Sequence, residues 1–231
     1  MYRWWTGYGN GNRAVNSKLT AEKIYVTQVV VIRHGRTEWN RVERFRGRAD
    51  LGLDDVGIRQ AQATVERIAG WNVSALYYSP LNRTTTTANI IAGRLNITAE
   101  PLPGIIDIDY GGWQGLSPEE AAKKDKDLYT LWLQKPHLVK FPGGESLEEV
   151  RERVASSVNN LVERHPDDTI AVVSHKVVCQ ILILHFLGMD TSRFWQIGQD
   201  VSAVNLFEVK DNHSYARLLN DTCHLKKLGL V

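Results

Sequence analysis

Cysteine is scarce in this chain: among 231 residues only Cys179 and Cys223 carry a thiol. They lie far apart in sequence and match neither metal-ligand nor redox spacing. A disulfide scaffold, a cysteine-based zinc site and a thioredoxin-type motif are therefore excluded, and a reduced, cytoplasmic setting is expected. Long apolar runs are missing as well. The longest stretch in the C-terminal third, residues 177–187, is interrupted by Gln180 and His185 and is too short to span a bilayer. No membrane partner is expected. Charge of one sign is also lacking, because 28 basic and 26 acidic residues leave a formal +2. That balance removes the broad basic footprint of a nucleic-acid binder.

What is present is ordinary for a globular protein: 43% apolar and 23% charged residues, in a length that suits one large domain. The start is the exception. Met1-Tyr2-Arg3-Trp4-Trp5 leads into a glycine- and asparagine-rich stretch in which Glu22 is the only acid. Residues 1–23 are expected to form a flexible N-terminal extension, with a targeting role as the second reading, and residues 24–231 to form the domain.

From Val29 onward, β-rich runs alternate with helix-like stretches. Residues 29–33, Ala75–Tyr78 and Thr169–Ser174 predict buried strands. Asp54 is a natural N-cap for a helix running to about Ala69. Ser79-Pro80 offers a cap and a first-turn proline for a helix to about Leu95. Ser117-Pro118-Glu119-Glu120 and Ser146-Leu147-Glu148-Glu149 are full capping boxes, the second opening a helix to about Arg164. Residues 177–187 predict a further helix, stopped by Gly188. Residues 203–209 and 216–219 flank Asp211-Asn212 and read as a hairpin. Strands alternating with helices of this length imply a three-layer α/β/α fold on a mostly parallel sheet. Ligands of such sheets sit at the carboxyl ends of the strands. His34 and His175 each follow a predicted strand directly, which places both imidazoles on one rim.

The first strand delivers Arg33-His34-Gly35-Arg36-Thr37-Glu38-Trp39-Asn40. An imidazole on a rigid strand end beside a permanent guanidinium suits attack on phosphorus. Three further pieces follow in order: Ser79-Pro80-Leu81-Asn82-Arg83-Thr84, then Asp107-Ile108-Asp109-Tyr110-Gly111-Gly112-Trp113-Gln114-Gly115, then Ser174-His175. Over residues 26 to 225 this set resembles the histidine phosphatase superfamily, in the branch that includes cofactor-dependent phosphoglycerate mutase and related phosphatases. The resemblance implies a phosphoglycerate mutase-like fold and a two-step displacement that uses neither metal nor cofactor. By motif position it makes His34 the nucleophile, Arg33 and Arg83 the phosphate clamps and His175 a stabiliser of the transferring group. It also makes Asn40 a phosphate ligand and places Arg46, where the family often has glutamine, against the substrate. Elementary chemistry agrees. A phosphoryl group in flight spreads negative charge over three oxygens, so fixed cations around it carry much of the catalysis.

Asp107 occupies the general-acid position, where family members commonly carry glutamate. It is shorter by one methylene, about 1.5 Å of reach, so Asp109 stands as the alternative acid. Arg36, Arg41, Arg44 and Arg48 read as a solvated face, with Arg46 the exception. Lys176 reads equally as a phosphate contact or a solvent-facing side chain. His137, His165, His185, His213 and His224 are expected to pack or to face solvent. Only about 30 positions separate Gly115 from Glu145, whereas mutases of this branch carry a longer insertion there. The shorter lid favours hydrolysis of a small phosphorylated metabolite over mutase activity. A mutase and an inactive phospho-ligand-binding module remain the alternatives. Residues 136–141 and 219–225 look similar to segments of metal-independent phosphoserine phosphatases, which puts phosphoserine among the candidates, beside sugar phosphates and phosphoglycerates. Homodimerisation is left open.

Overall fold

The computed structural model describes residues 25–210 and 213–230. The expected extension, residues 1–23, and the hairpin tip Asp211-Asn212 lie outside the described residues. In chain order the elements are β1 (Thr27–Arg33), α1 (Glu38–Arg41), α2 (Asp55–Ile68), β2 (Ala75–Tyr78), α3 (Asn82–Leu95) and β3 (Ala99–Pro101). Then come α4 (Pro118–Lys124), α5 (Lys126–Gln134), α6 (Leu147–Arg164), β4 (Thr169–Ser174) and α7 (Lys176–Phe186). Last are β5 (Val204–Lys210), β6 (His213–Asp221) and α8 (Cys223–Lys226).

The six strands form one sheet in the order β3-β2-β4-β1-β5-β6. The first four are mutually parallel, and β5 and β6 run antiparallel. The architecture is therefore α/β with a mostly parallel sheet. Its centre follows from the apolar run of β1, in which Val29, Val30, Val31 and Ile32 are all completely buried. Period-two alternation splits them between the faces. Val29 and Val31 pack with Val150 and Val154 of α6 and with Val178 and Ile181 of α7. Val30 and Ile32 pack with Val65 and Ile68 of α2 and with Ala88 and Ile91 of α3. Each such side chain contributes roughly 1.5–3 kcal/mol of transfer free energy, and that need for cover on both sides draws the helices into two layers.

Most helix signals act as read. Asp54 accepts from the Gly57 amide at 2.8 Å, and Ser117 and Ser146 complete their capping boxes. The start of α3 differs. Leu81 stands at its N-cap, with no side-chain cap of its own, and the Asn82 amide donates to Asp50 Oδ1 at 2.6 Å. A carboxylate from a distant loop thus takes the place expected for Ser79. β3 was not expected. It spans three residues, includes Pro101 and pairs only with β2, too short for any alternation to register.

Candidate active site

β1 and β4 pair in parallel with Arg33 opposite Ser174, so the residues that follow, His34 and His175, leave the sheet side by side. The His34 amide donates to the Ser174 carbonyl at 3.0 Å. The two ring centroids lie 5.3 Å apart. The rim expected from the sequence exists, and both rings are fully buried in it.

Their protonation is set by different partners. His34 Nδ1 donates to the Gly35 carbonyl at 2.6 Å. A carbonyl only accepts, so the proton sits on Nδ1 and Nε2 keeps its lone pair. That Nε2 is buried and has no hydrogen-bond partner. Burial, and then the cations Arg83, Arg33 and Arg46, hold the imidazole well below the usual histidine range. His175 is fixed the other way. Its Nδ1 accepts from Arg83 Nε at 3.1 Å, so its proton sits on Nε2 and points to Ser79 Oγ at 2.7 Å. Burial, with Arg83 next, also holds it well below the usual range.

Three guanidiniums surround the pair. Arg83 is fully buried and donates to the carbonyls of Ala49 at 2.7 Å and Gly47 at 2.8 Å and to Asp107 Oδ2 at 3.1 Å. Arg33 donates through Nη1 to the Gln199 carbonyl at 2.6 Å, while its buried Nε is unpartnered. Burial and the nearby Arg46 bring Arg33 down to about 10, still charged at neutral pH. Arg46 donates through Nη1 to the Trp39 carbonyl at 3.1 Å, and its Nε is likewise buried without a partner. Asn40 turns Oδ1 towards the Thr37 amide and hydroxyl, 3.0 Å from each.

Asp107 accepts from the Ile108 amide at 3.0 Å and lies 3.7 Å from His175 Nδ1. Burial pushes its carboxyl above the usual range, with Arg83 acting in the opposite sense. Asp109 points elsewhere, pairing with Arg48 at 3.5 Å and accepting from the Gly111 amide at 2.8 Å. Of the two acids, only Asp107 lines the adjoining cavity, whose wall carries Arg33 and Arg46 while His34, His175 and Arg83 lie buried behind it. That cavity holds about 430 Å³ and is also lined by Arg33, Asn40, Arg46 and Lys176. Its far wall comes from Tyr129, Trp132 and Leu133 of α5 together with Phe194 and Trp195.

The arginine run divides as its geometry requires. Arg36 pairs with Asp54, Arg41 with Glu38, Arg44 with Glu120 and Arg48 with Glu145, whereas Arg46 faces the cavity. His165, His185 and His224 contact Tyr77, Asn159 and Thr64, away from the site. Two contributors escaped the sequence reading. Ser79 was assigned to a cap, yet its hydroxyl holds His175. Gln199 holds Arg33 through a backbone carbonyl, which no side-chain pattern announces. Among the described residues, no group of three or more His, Cys, Asp or Glu side chains could hold a metal ion.

The arrangement offers one free imidazole lone pair, cations with unspent donors around it and a buried carboxyl inclined to keep its proton. It can attack a centre that bears several anionic oxygens and protonate a departing group.

Known proteins resemble this chain over most of its length. The family model for the histidine phosphatase superfamily (branch 1) matches residues 29–222. The chain is 34% identical over 200 residues to phosphoserine phosphatase 1 of Hydrogenobacter thermophilus, covering 87% of this chain and 95% of that protein. Among solved structures it is similar to Bacillus stearothermophilus YhfR, with a TM-score of 0.82 at 27% identity, covering 86% of this chain and 99% of that one. It is also similar to a phosphoserine phosphatase variant from Entamoeba histolytica in complex with phosphoserine. There the TM-score is 0.78 at 28% identity, over 86% of this chain and 99% of the other.

Proposed function

The chain belongs to the histidine phosphatase superfamily (branch 1) and is a phosphoric monoester hydrolase; on that premise we propose that it works without a metal, through a phosphohistidine formed on His34. The observation that carries the reading is the buried, unpartnered Nε2 of His34, with its proton committed to Gly35 on the other side of the ring. An unpaired buried nitrogen is costly to leave unless a ligand meets it.

In the first step the Nε2 lone pair attacks phosphorus and the bond to the ester oxygen breaks. Asp107, whose hold on a proton burial strengthens, passes a proton to the departing alkoxide. In the second step Asp107, now a carboxylate, takes a proton from water. The resulting oxygen nucleophile attacks phosphorus, the P–N bond breaks, and its electron pair returns to Nε2. Inorganic phosphate leaves and Asp107 is again protonated. Arg33, Arg46 and Arg83 neutralise the equatorial oxygens in both steps, with Asn40 as a further donor. His175 shares in stabilising the transferring group by holding Arg83.

The substrate is a small phosphorylated metabolite, and the printed names of the relatives make phosphoserine the first to assay. Hydrolysis rather than return transfer is supported by the shape of segment 116–145. Its Leu133, together with Trp195 from outside the segment, lines the cavity while remaining 53% and 42% exposed respectively, so the cavity is open to solvent on that side.

Turnover of p-nitrophenyl phosphate in excess chelator tests the reading. Activity should persist, and rapid quenching should trap acid-labile label on residue 34. Activity that chelation removes, or label at another residue, overturns it. Asp107→Asn should slow alkyl esters far more than p-nitrophenyl phosphate, because only the alkoxide needs a proton. Equal losses on both would remove Asp107 as the acid.

A further inference from the structure

Charges around the cavity fall into two groups. Those of the neighbouring arginine run are already paired: Arg36 with Asp54 at 2.8 Å, Arg44, itself part of the lining, with Glu120 at 3.0 Å and Arg48 with Glu145 at 3.3 Å. Among the described residues, four charged side chains that line the chamber make no ion pair: Arg33, Arg46, Glu43 and Lys176. In the reading above, the first two meet the phosphate dianion. One carboxylate and one ammonium are left over.

Neither leftover group has an evident structural duty. Glu43 sits at φ 48°, in the left-handed region that disfavours any side chain, and makes no hydrogen bond there. Lys176 is the first residue of α7, directly after His175, and its ammonium makes no hydrogen bond either. Desolvation, Arg33 and Arg46 weaken the hold of Lys176 on its proton, while Asp200 and Glu43 act in the opposite sense.

We infer that the chamber is charge-matched to a phosphate ester whose alcohol is a zwitterion, Glu43 receiving its ammonium and Lys176 its carboxylate. A phosphorylated amino acid satisfies both charges. A phosphoglycerate satisfies Lys176 and leaves Glu43 facing a hydroxyl. A phosphorylated amino alcohol satisfies Glu43 alone, and a sugar phosphate satisfies neither. The inference deepens the phosphatase reading and rests on it. Because Glu43 and Lys176 are both exposed to solvent, selectivity should be moderate, about tenfold per charge.

The test uses the full chain and ratios of kcat/KM, which cancel general damage to the site. For the wild type, O-phosphoserine should exceed both 3-phosphoglycerate and phosphoethanolamine. Glu43→Gln should lower the phosphoserine-to-phosphoglycerate ratio about tenfold, since only phosphoserine carries the ammonium. Lys176→Met should lower the phosphoserine-to-phosphoethanolamine ratio by a similar factor. Ratios that stay within twofold of wild type in both variants overturn the inference, and if p-nitrophenyl phosphate is still turned over, the phosphatase reading stands. A wild type that hydrolyses none of these esters overturns both.

Discussion

His34 and His175 leave neighbouring strands in the same register, are equally buried and are both neutral at pH 7, yet they are prepared for different work. The first has one nitrogen bonded and one free. The second has both nitrogens taken, by Arg83 and by Ser79. What separates them is the origin of their partners. His34 is set by the carbonyl of the very next residue, in a turn that presses on the start of α2. A Cβ on Gly35 would strike the Gly57 carbonyl, and one on Gly57 would strike the Arg36 backbone. His175 is set by side chains brought from residues 79 and 83, far away in sequence. A local backbone turn leaves a lone pair unpartnered, and a tertiary network consumes one.

The largest effects should break this pair unequally. His34→Ala removes the proposed nucleophile and should cut kcat/KM by at least ~10⁴-fold. His175→Ala removes a positioning ring and should cut it by about 10²–10³-fold. Steady-state kinetics on one aryl and one alkyl ester check both. Losses of equal size would mean that the two rings act as one unit and that the distinction drawn from their hydrogen bonds is empty.

Next in size is the cation that joins them. Arg83→Ala should lose about 3 kcal/mol of transition-state stabilisation, and it should also lower the unfolding free energy. The Gly47 and Ala49 carbonyls, Asp107 and His175 all lose a buried donor at once. Arg83→Lys should rescue little, because one ammonium does not reproduce a planar fork that reaches four acceptors. Kinetics and urea denaturation read the two losses separately. Near-normal kcat/KM in the alanine variant would take Arg83 out of the site.

Much of this was legible in the chain, for identifiable reasons. The apolar run of β1, the capping serines before α4 and α6 and the Asp54 cap are local signals, and local signals survive into the fold. Rim placement of the histidines followed from strand ends alone. Ser79 was read as a cap because Ser-Pro ahead of a helix satisfies a local rule, and the rule lost to a tertiary partner, His175. Arg46 could be singled out from its neighbours by motif position, but that Arg36, Arg44 and Arg48 would find carboxylates depended on the tertiary meeting of separate segments. The aromatic wall of α5 and the leftover charge of Glu43 had no sequence signature. Tautomers were out of reach too, since they depend on hydrogen-bond geometry.

The smallest effect expected is thermodynamic, and it tests the shared property of the two rings. Both imidazoles have folded-state values well below the 6.5 of a free histidine. Between those values and 6.5 the unfolded chain binds more protons than the folded one, so stability rises with pH and falls as pH drops below 6.5. Two such groups approach a limiting slope of about 2.7 kcal/mol per pH unit. Asp107, whose value is raised, acts in the opposite sense above the ordinary aspartate value of 3.8. Asp221 and Glu149, each drawn down to about 2, lose their stabilisation only in a more acid range. Urea midpoints should therefore fall between pH 7 and pH 5.5. His34→Gln and His175→Gln should each flatten that fall, but at pH 7 the second should be the less stable protein. It leaves Arg83 Nε and the Ser79 hydroxyl short of a partner, whereas His34 gives up a single bond to Gly35. Equal stabilities at pH 7 would show that the hydrogen bonds of His175 contribute nothing beyond the ring itself.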